Sequence, residues 1–322
     1  MAEEPKLRVE GQNYAESKYR HGKAAGHLEP GEKKRPNVLK LCRHIQDLPG
    51  AIVQYGDPEY NGLACWVSDD EVTVAMKMKV RKSYTTADLA RLSKLPEDRL
   101  QKALDHGSWA GLFSIDTEDR NLPKIDGKWQ VGYHIPIFVP GIFEAMVDNI
   151  KLVEQYPIIA QSFAEYTIKR IMPLAGNIPV GHGVMRVIPI ESSIEGNADT
   201  SEDEKISHYV EQADDISVAP CSCRVSRRLM GEGCGHLEQD MCIQFNEGAR
   251  DFIKQGHGRR ISKEECYAIL KKAEENGLMH EMPNIDGNGK THAMCNCCGC
   301  SCFSLRTGEY FHTATLIRSN YI

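Results

Sequence analysis

The spacing of hydrophobic and polar positions in the first half of the chain predicts short helices followed by a pair of strands. Apolar residues recur on one helical face over 69–80. Thr85 or Thr86 is placed to cap the next helix. The following elements are predicted as helices over 88–92 and 97–104, separated by Leu95-Pro96, and strands over 112–115 and 129–135. This order predicts a winged-helix-like domain over residues 36–140.

The segments on either side of this predicted domain have different patterns. Residues 1–35 are polar, which indicates either an extended arm that wraps a partner or a frayed tail. Residues 141–182 contain a long helical pattern that Pro157 kinks or divides. We interpret this second segment as a helical connector between the two halves of the chain.

Strand and helix patterns alternate over the last part of the chain, residues 183–322. Ser262 and Glu265 have the spacing of a capping box at the start of one helix. The predicted order is a strand over 183–190, a helix over 202–213, strands over 216–219 and 242–245, a helix over 262–276 and a strand over 278–282. The chain is therefore expected to be α+β, and this part is expected to be a ferredoxin-like α/β sandwich with cysteine-rich, iron–sulfur-binding loops.

Charge and hydropathy narrow the classes of function. The 322 residues carry a formal net charge of −6, which disfavours a nucleic-acid or anionic-membrane partner. The predicted helix over 97–104, which would contact DNA in a winged helix, is near neutral in charge, and this also disfavours DNA binding. No apolar run reaches the roughly 18 residues of a membrane span, and the N-terminal residues lack the apolar core of a secretory signal. We therefore expect a cytoplasmic protein whose thiols are kept reduced.

Twelve cysteines stand out against this background, and nine of them fall in two clusters. The candidate metal ligands are Cys221, Cys223, Cys234 and Cys242 in the first cluster and Cys295, Cys297, Cys298, Cys300 and Cys302 in the second. Disulfides are disfavoured by the compartment and by the close spacing of the second cluster. Zinc sites with four cysteine ligands remain an alternative. The density of thiols favours iron–sulfur clusters, which cysteine thiolates hold.

Alternation of side chains along an extended backbone predicts how the thiols divide. Cys295 and Cys297 would lie on one face, and the other thiols of the second cluster would lie on the opposite face. Cys221 and Cys223 would likewise share a face. One strand would then serve two metal sites, unless Gly299 bends the chain and breaks the alternation. Nine thiolates suit two four-ligand clusters with one thiol left over, and they also suit one cluster with flanking thiols.

Cations and hydrogen-bond donors accompany both cysteine clusters in the sequence. Arg224 directly follows the first two cysteines of the first cluster, and Arg306 follows the second cluster, where a positive charge would stabilise an anionic cofactor. His236 is expected to donate a hydrogen bond to the cofactor rather than to ligate it. No nucleophile, base and orienting group stand together, so we predict no catalytic residue. The sequence also has no glycine motif for a flavin or nicotinamide site.

The chain resembles a family of iron–sulfur proteins of anaerobic bacteria and archaea in the stretches CSCR, GCGHLEQDMCIQF, GRRISKEECYAILKKAEENGLMH and CNCCGCSCFSLR. The stretches VAMKMKVRKSYTTADLA and VPGIF extend the resemblance over most of residues 69–318. The resemblance implies a winged-helix-like N-terminal part and [4Fe–4S] electron transfer, with ligands drawn from the nine clustered cysteines. Some members are joined to, or encoded with, flavin-dependent NAD(P) oxidoreductases. In longer relatives a ferredoxin run begins where this sequence ends, at Ile322.

The leading hypothesis is an electron-transfer subunit that passes single electrons through one or two [4Fe–4S] clusters in an anaerobic oxidoreductase complex. Its protein partner would be a flavin- or metal-containing oxidoreductase subunit or a ferredoxin, docked by the winged-helix-like domain and the arm. One alternative is an iron–sulfur redox sensor that regulates DNA binding by a winged helix. A zinc-bound structural module is another. A radical or dehydratase-type enzyme would need a cluster held by three thiolates with one open iron site.

Overall fold

The fold is described here from a computed structural model, for residues 33–46, 52–139, 141–171, 185–196, 202–283, 293–306 and 317–318. Helices and strands both build these parts of the chain, so the expected mixed α+β class is confirmed at that level. They form two compact units: the first comprises residues 33–166 with 254–257, and the second comprises the remaining described residues. No described helix is long and apolar enough to cross a membrane. Most of the predicted arm, residues 1–32, lies outside the described residues.

Short helices make up most of the first unit. Their bounds are Pro36–Ile45 (α1), Pro58–Ala64 (α2), Asp69–Ala75 (α3), Thr86–Ser93 (α4), Glu97–Trp109 (α5), Ile142–Asp148 (α6), Ile150–Gln155 (α7) and Ile158–Tyr166 (α8). Thr85 is the residue that caps α4, because its hydroxyl accepts the Asp88 amide and the Asp88 carboxylate accepts the Thr85 amide. Helix α3 is shorter than predicted, since the chain turns after Ala75, buries Met78 and leaves Met76 exposed.

A β-hairpin follows α5 in the first unit. Strands Ser114–Asp119 (β1) and Gln130–His134 (β2) are antiparallel, with Ile115 opposite Tyr133. Helix, turn, helix and hairpin therefore occur in the predicted order, although α5 continues five residues beyond the predicted end at Leu104. The specific winged-helix arrangement stays a prediction.

Aromatic side chains fill the core of the first unit. The ring centroid of Phe143 lies 5.6 Å from that of Phe138, 6.0 Å from that of Phe163 and 5.2 Å from that of Tyr166. All four side chains are buried. Three of them lie between residues 141 and 166, so the helices predicted as a connector contribute to this core. Pro157 precedes α8 and does divide the predicted long helix.

A single sheet organises the second unit. Its strands are Met185–Ile188 (β3), Ile216–Ala219 (β4), Cys242–Phe245 (β5), Arg259–Ile261 (β6), Met279–Pro283 (β7), Ala293–Cys297 (β8) and Ile317–Arg318 (β9). The order across the sheet is β6-β4-β5-β8-β7-β3-β9. All neighbours are antiparallel except β3 and β9. The helices are Glu191–Ile194 (α9), Ile206–Gln212 (α10), Ser222–Leu229 (α11), Asn246–Gln255 (α12) and Lys263–Glu275 (α13).

The two faces of this sheet differ in chemistry. One face is apolar and belongs to a buried cluster with side chains of α10 and α13, among them Val210, Ile243, Cys266, Leu270 and Met294. The other face carries the residues that alternate with these along the strands, including Cys242 and Cys295. The predicted strands of this region are present, but β6, β8 and β9 enlarge the sheet. The ferredoxin-like sandwich is therefore not confirmed by this topology.

Candidate metal centre

The second cysteine cluster begins on β8, in the middle of the sheet. Cys295 is paired with Cys242 on β5 and, on the other side, with Glu281 on β7. Paired residues of antiparallel strands project from the same face, so these side chains form a row across three strands. Cys297 lies two residues further along β8 and shares that face, as the alternation predicts.

The chain turns directly after β8. The backbone amides of Ser301 and Cys302 donate to the carbonyl of Cys298, at 3.3 and 3.0 Å, and a helical turn over 303–306 follows. This turn brings Cys302 back to Cys297, so the predicted extended alternation of the thiols after Cys297 is wrong. The physical reason is that hydrogen bonding within the turn replaces strand pairing beyond the end of β8.

One group of potential metal ligands forms around the turn, and we call it the Cys298 group. The thiols of Cys234, Cys298 and Cys300 lie within 4.8 Å of one another. The sulfur of Cys234 is 3.8 Å from that of Cys298 and 3.4 Å from the hydroxyl oxygen of Ser301. Cys234 belongs to the first sequence cluster, so the fold unites the two cysteine clusters at this point.

A second group, which we call the Cys302 group, contains a carboxylate. Ligand atoms of Glu281, Cys297 and Cys302 lie within 4.8 Å of one another, and all three residues are buried. The Cys302 thiol donates to Glu281 Oε2 at 3.9 Å. Cys297 is hydrogen-bonded to the thiols of Cys295 and Cys302. Burial raises the pKa of Glu281 to about 7, against the opposing effect of hydrogen bonds from Cys297 and Cys302.

Cys221 and Cys223 lie within electrostatic reach of the two groups. Cys221 is the N-cap of α11 and Cys223 lies in its first turn, so the extended conformation assumed for this pair is wrong. Interaction between the two thiols lowers the pKa of Cys221 and raises the pKa of Cys223. The charge of Cys298 acts on Cys221, and the charge of Cys302 acts on Cys223. The start of α11 therefore places the first two cysteines of the first cluster near the turn that follows β8.

The buried guanidinium of Arg224 contacts the Cys298 group. Its Nη1 donates to the sulfur of Cys298 at 3.7 Å, and its Nη2 donates to the Asn296 carbonyl at 2.9 Å. A hydrogen bond from Cys234, followed by the charge of Arg224, lowers the pKa of Cys298. The hydrogen bond with Cys223 and then the charge of Arg224 lower the pKa of Cys221. Lowered pKa values favour thiolates, the form in which cysteine binds metals.

Backbone N–H groups also lower the pKa values of thiols in the two groups and of Cys221 and Cys223. The pairs are Arg224 to Cys221, Phe303 to Cys223, His236 to Cys234, Ser301 to Cys298 and Leu305 to Cys302. Such N–H donors stabilise thiolates and adjust the reduction potential of a bound iron–sulfur cluster.

The other two predicted cofactor-binding residues lie close to these groups. The His236 ring has its Nδ1 3.1 Å from the Asn276 side-chain oxygen, while its backbone N–H acts to lower the pKa of the Cys234 thiol. Arg306 is buried, and its backbone amide donates to the Cys302 carbonyl at 3.0 Å. Cys242 accepts a hydrogen bond from Gln244 Nε2 at 3.3 Å.

Sequence reasoning missed Glu281. The signal was present, because an acidic residue stands in the middle of the predicted strand over 278–282, where a buried apolar residue is the usual choice. Its proximity to the cysteines depends on the register of β7 against β8, which the sequence does not reveal.

The donor set fits a transition-metal centre. Thiolates are soft ligands that hold zinc and iron–sulfur clusters. Within the described residues, Glu281 Oε1 and Arg224 Nε are buried side-chain atoms without a hydrogen-bond partner. Buried polar atoms of this kind call for a partner, and an ion or cofactor beside the thiols would provide one. Metal binding is therefore the chemistry that this arrangement supports.

Comparison with protein-family models, curated proteins and solved structures gives no match for this chain. The cysteine groups are compatible, at the level of metal binding, with the iron–sulfur family that the sequence resembles.

Proposed function

We propose that this protein is an iron–sulfur electron-transfer protein in which the Cys298 and Cys302 groups hold one or two [4Fe–4S] clusters. The observation that carries the proposal is the convergence of both cysteine clusters on two adjoining groups of potential ligands. A bound cluster would accept and release single electrons. Electron transfer needs no general acid or base, which agrees with a sequence that offers no catalytic set.

Four cysteines are suitable ligands for one cluster. Cys234, Cys298 and Cys300 form the Cys298 group, and Cys221 is the fourth candidate because Cys298 and Arg224 act on its charge. For a second cluster, Cys295, Cys297 and Cys302 provide three thiolates. Cys223 and Cys242 would then flank the two centres.

Arg224 and the backbone amides give the chain control over the cluster potential. A guanidinium and N–H donors beside thiolate sulfur stabilise the more negative, reduced state. Cys234, Cys298 and Arg224 are all buried, so water would screen these interactions only weakly.

For the first unit, we propose docking of a protein partner, a flavin- or metal-containing oxidoreductase subunit or a ferredoxin, in the cytoplasm. Its hairpin region exposes the apolar side chains of Ile125, Trp129 and Val131, which are suitable for contact with a protein partner.

DNA binding is less well supported. On α5, Arg99 is paired with Asp70 and Gln101 donates to Asp105, so these side chains are engaged within the protein. The winged-helix and ferredoxin-like assignments remain part of this proposal.

Anaerobic purification followed by iron, sulfide and zinc analysis tests the proposed function. We expect a brown protein whose visible absorption is bleached by dithionite, with about eight irons and eight sulfides for two clusters or about four of each for one. A colourless protein with stoichiometric zinc would reject electron transfer in favour of a structural module.

Cysteine variants test the ligand assignment. Cys295→Ser and Cys300→Ser should each remove the absorption of the cluster that the substituted cysteine holds, whereas Cys266→Ser should leave the absorption unchanged. Cys266 is a matched control because it is buried on α13 in the same unit and belongs to neither group of potential ligands. Unchanged spectra in the first two variants would contradict the assignment.

A further inference from the structure

Glu281 lies among the thiols of the second cysteine cluster, where its carboxylate could ligate a metal. It faces Cys295 across the β7–β8 pairing, and its oxygen, with the sulfur atoms of Cys297 and Cys302, forms the Cys302 group. The four side chains therefore come from one face of two neighbouring strands and from the turn that follows them.

The carboxylate of Glu281 has little to satisfy it within the protein. Its side chain is completely buried. Oε2 receives only thiol hydrogen bonds, which are weak, and Oε1 has no hydrogen-bond partner among the described residues. No salt bridge of the described residues involves Glu281. A buried carboxylate without a cation is strongly disfavoured unless it is neutralised or binds a metal.

The chemistry of the donors is compatible with shared binding. Carboxylate oxygen and thiolate sulfur both ligate zinc and iron, at about 2.0–2.3 Å from zinc. Around a tetrahedral ion, such distances place neighbouring ligand atoms closer together than the 4.8 Å limit that contains this group. Side-chain rotations would therefore let Glu281, Cys297 and Cys302 share one zinc ion or, with Cys295, bind one iron atom each of a cluster.

We propose that Glu281 is a protein ligand of the metal centre in the Cys302 group, so that this centre has three thiolates and one carboxylate oxygen. The identity of the metal as iron rests on the proposed function, but the ligand role of Glu281 does not. The two centres then differ in kind, because the Cys298 group offers sulfur ligands alone. A metal atom bound by the carboxylate oxygen is held less tightly than one bound by thiolate sulfur, so it is the first to be released.

The test uses the full chain, reconstituted anaerobically with iron and sulfide, and compares Glu281→Gln, Glu281→Cys and the unmodified protein. Glu281→Gln keeps the shape but removes the anionic ligand, and we expect iron release to a chelator to become roughly tenfold faster or more. Glu281→Cys supplies a thiolate and should restore retention, with a changed electron paramagnetic resonance spectrum of the reduced protein. Glu264→Gln, at an exposed position of α13, serves as the control.

Two results would overturn the ligand role. One is a Glu281→Gln protein with unchanged iron content, release rate and resonance spectrum. The other is a Glu281→Cys protein that loses metal as fast as Glu281→Gln. If residue 281 is a ligand, the thiolate should restore metal retention, whereas it would not do so if the carboxylate were purely structural. Failure of the proposed function gives a different result: the unmodified protein would then hold zinc without sulfide. The same variants, followed by zinc content, would still decide the role of Glu281.

Discussion

The two units of this protein differ in what their buried layers contain. In the first unit, Phe138, Phe143, Phe163 and Tyr166 pack ring against ring. In the second, one face of the sheet carries thiols and the carboxylate of Glu281, with Arg224 beside the turn. Aromatic burial stabilises a fold by itself. A layer of thiolates and a carboxylate is anionic and requires a compensating positive charge.

This difference predicts that the stability of only one of the two units depends on the metal. The first unit should fold without any cofactor, whereas the second should depend on its metal for much of its stability. Changes that affect one unit and leave the other unaltered test this difference.

Metal removal should have the largest effect, and it should be confined to the second unit. Binding free energy becomes folding free energy when ligands come together only in the folded chain. We expect anaerobic chelation to accelerate amide hydrogen exchange in peptides covering 242–245 and 293–297 by about 100-fold or more. Peptides covering 142–166 should be unaffected and are the internal control. Equal acceleration in both units would remove the distinction.

Truncation of the aromatic core should produce the reverse pattern. Phe143→Ala removes a fully buried ring in contact with three others, and we expect a loss of about 3–5 kcal/mol in the free energy of unfolding of the first unit. Iron and sulfide content should stay at the level of the unmodified protein. Chemical denaturation combined with metal analysis measures both. A parallel loss of metal would show that the second unit depends on the first.

Titration of Glu144 should produce a smaller effect in the first unit. Burial raises the pKa of Glu144 to about 7, although its carboxylate accepts the Gly141 amide at 2.8 Å. The folded protein therefore binds more protons than the unfolded chain between about pH 4.5 and 7. Stability contributed by this group is complete below that range and is lost as pH rises through it, by up to about 3 kcal/mol.

Glu144→Gln isolates this contribution, because glutamine keeps an oxygen acceptor for Gly141 but does not titrate. The difference in unfolding free energy between variant and unmodified protein should change with pH over this window and be constant outside it. Denaturant unfolding at pH 4.5, 6 and 7.5 measures the slope. A difference that does not vary with pH would contradict the raised pKa.

Local features of the fold were predictable from the sequence, and the site was predictable only in part. Caps and turns depend on neighbours in the chain, which is why the capping at Ser262 and the break at Pro157 were found. The nine cysteines were recognised as candidate metal ligands from their close spacing in the sequence. Their division into two ligand groups was not predicted, because it depends on strand register and on the turn after Cys297. Glu281 joins the group through a long-range pairing that periodicity does not encode.

The cap of α4 offers the smallest and most local test. Thr85 Oγ1 accepts the Asp88 amide at 3.1 Å, while Thr86 is the first helical residue and is exposed. Thr85→Ala should lower the unfolding free energy of the first unit by about 1 kcal/mol, because an orphan amide of the first turn loses its acceptor. Thr86→Ala, matched in chemistry and adjacent in sequence, should change it by no more than about 0.5 kcal/mol. Equal effects at the two positions would show that the hydroxyl bond at Thr85 does not stabilise the helix start.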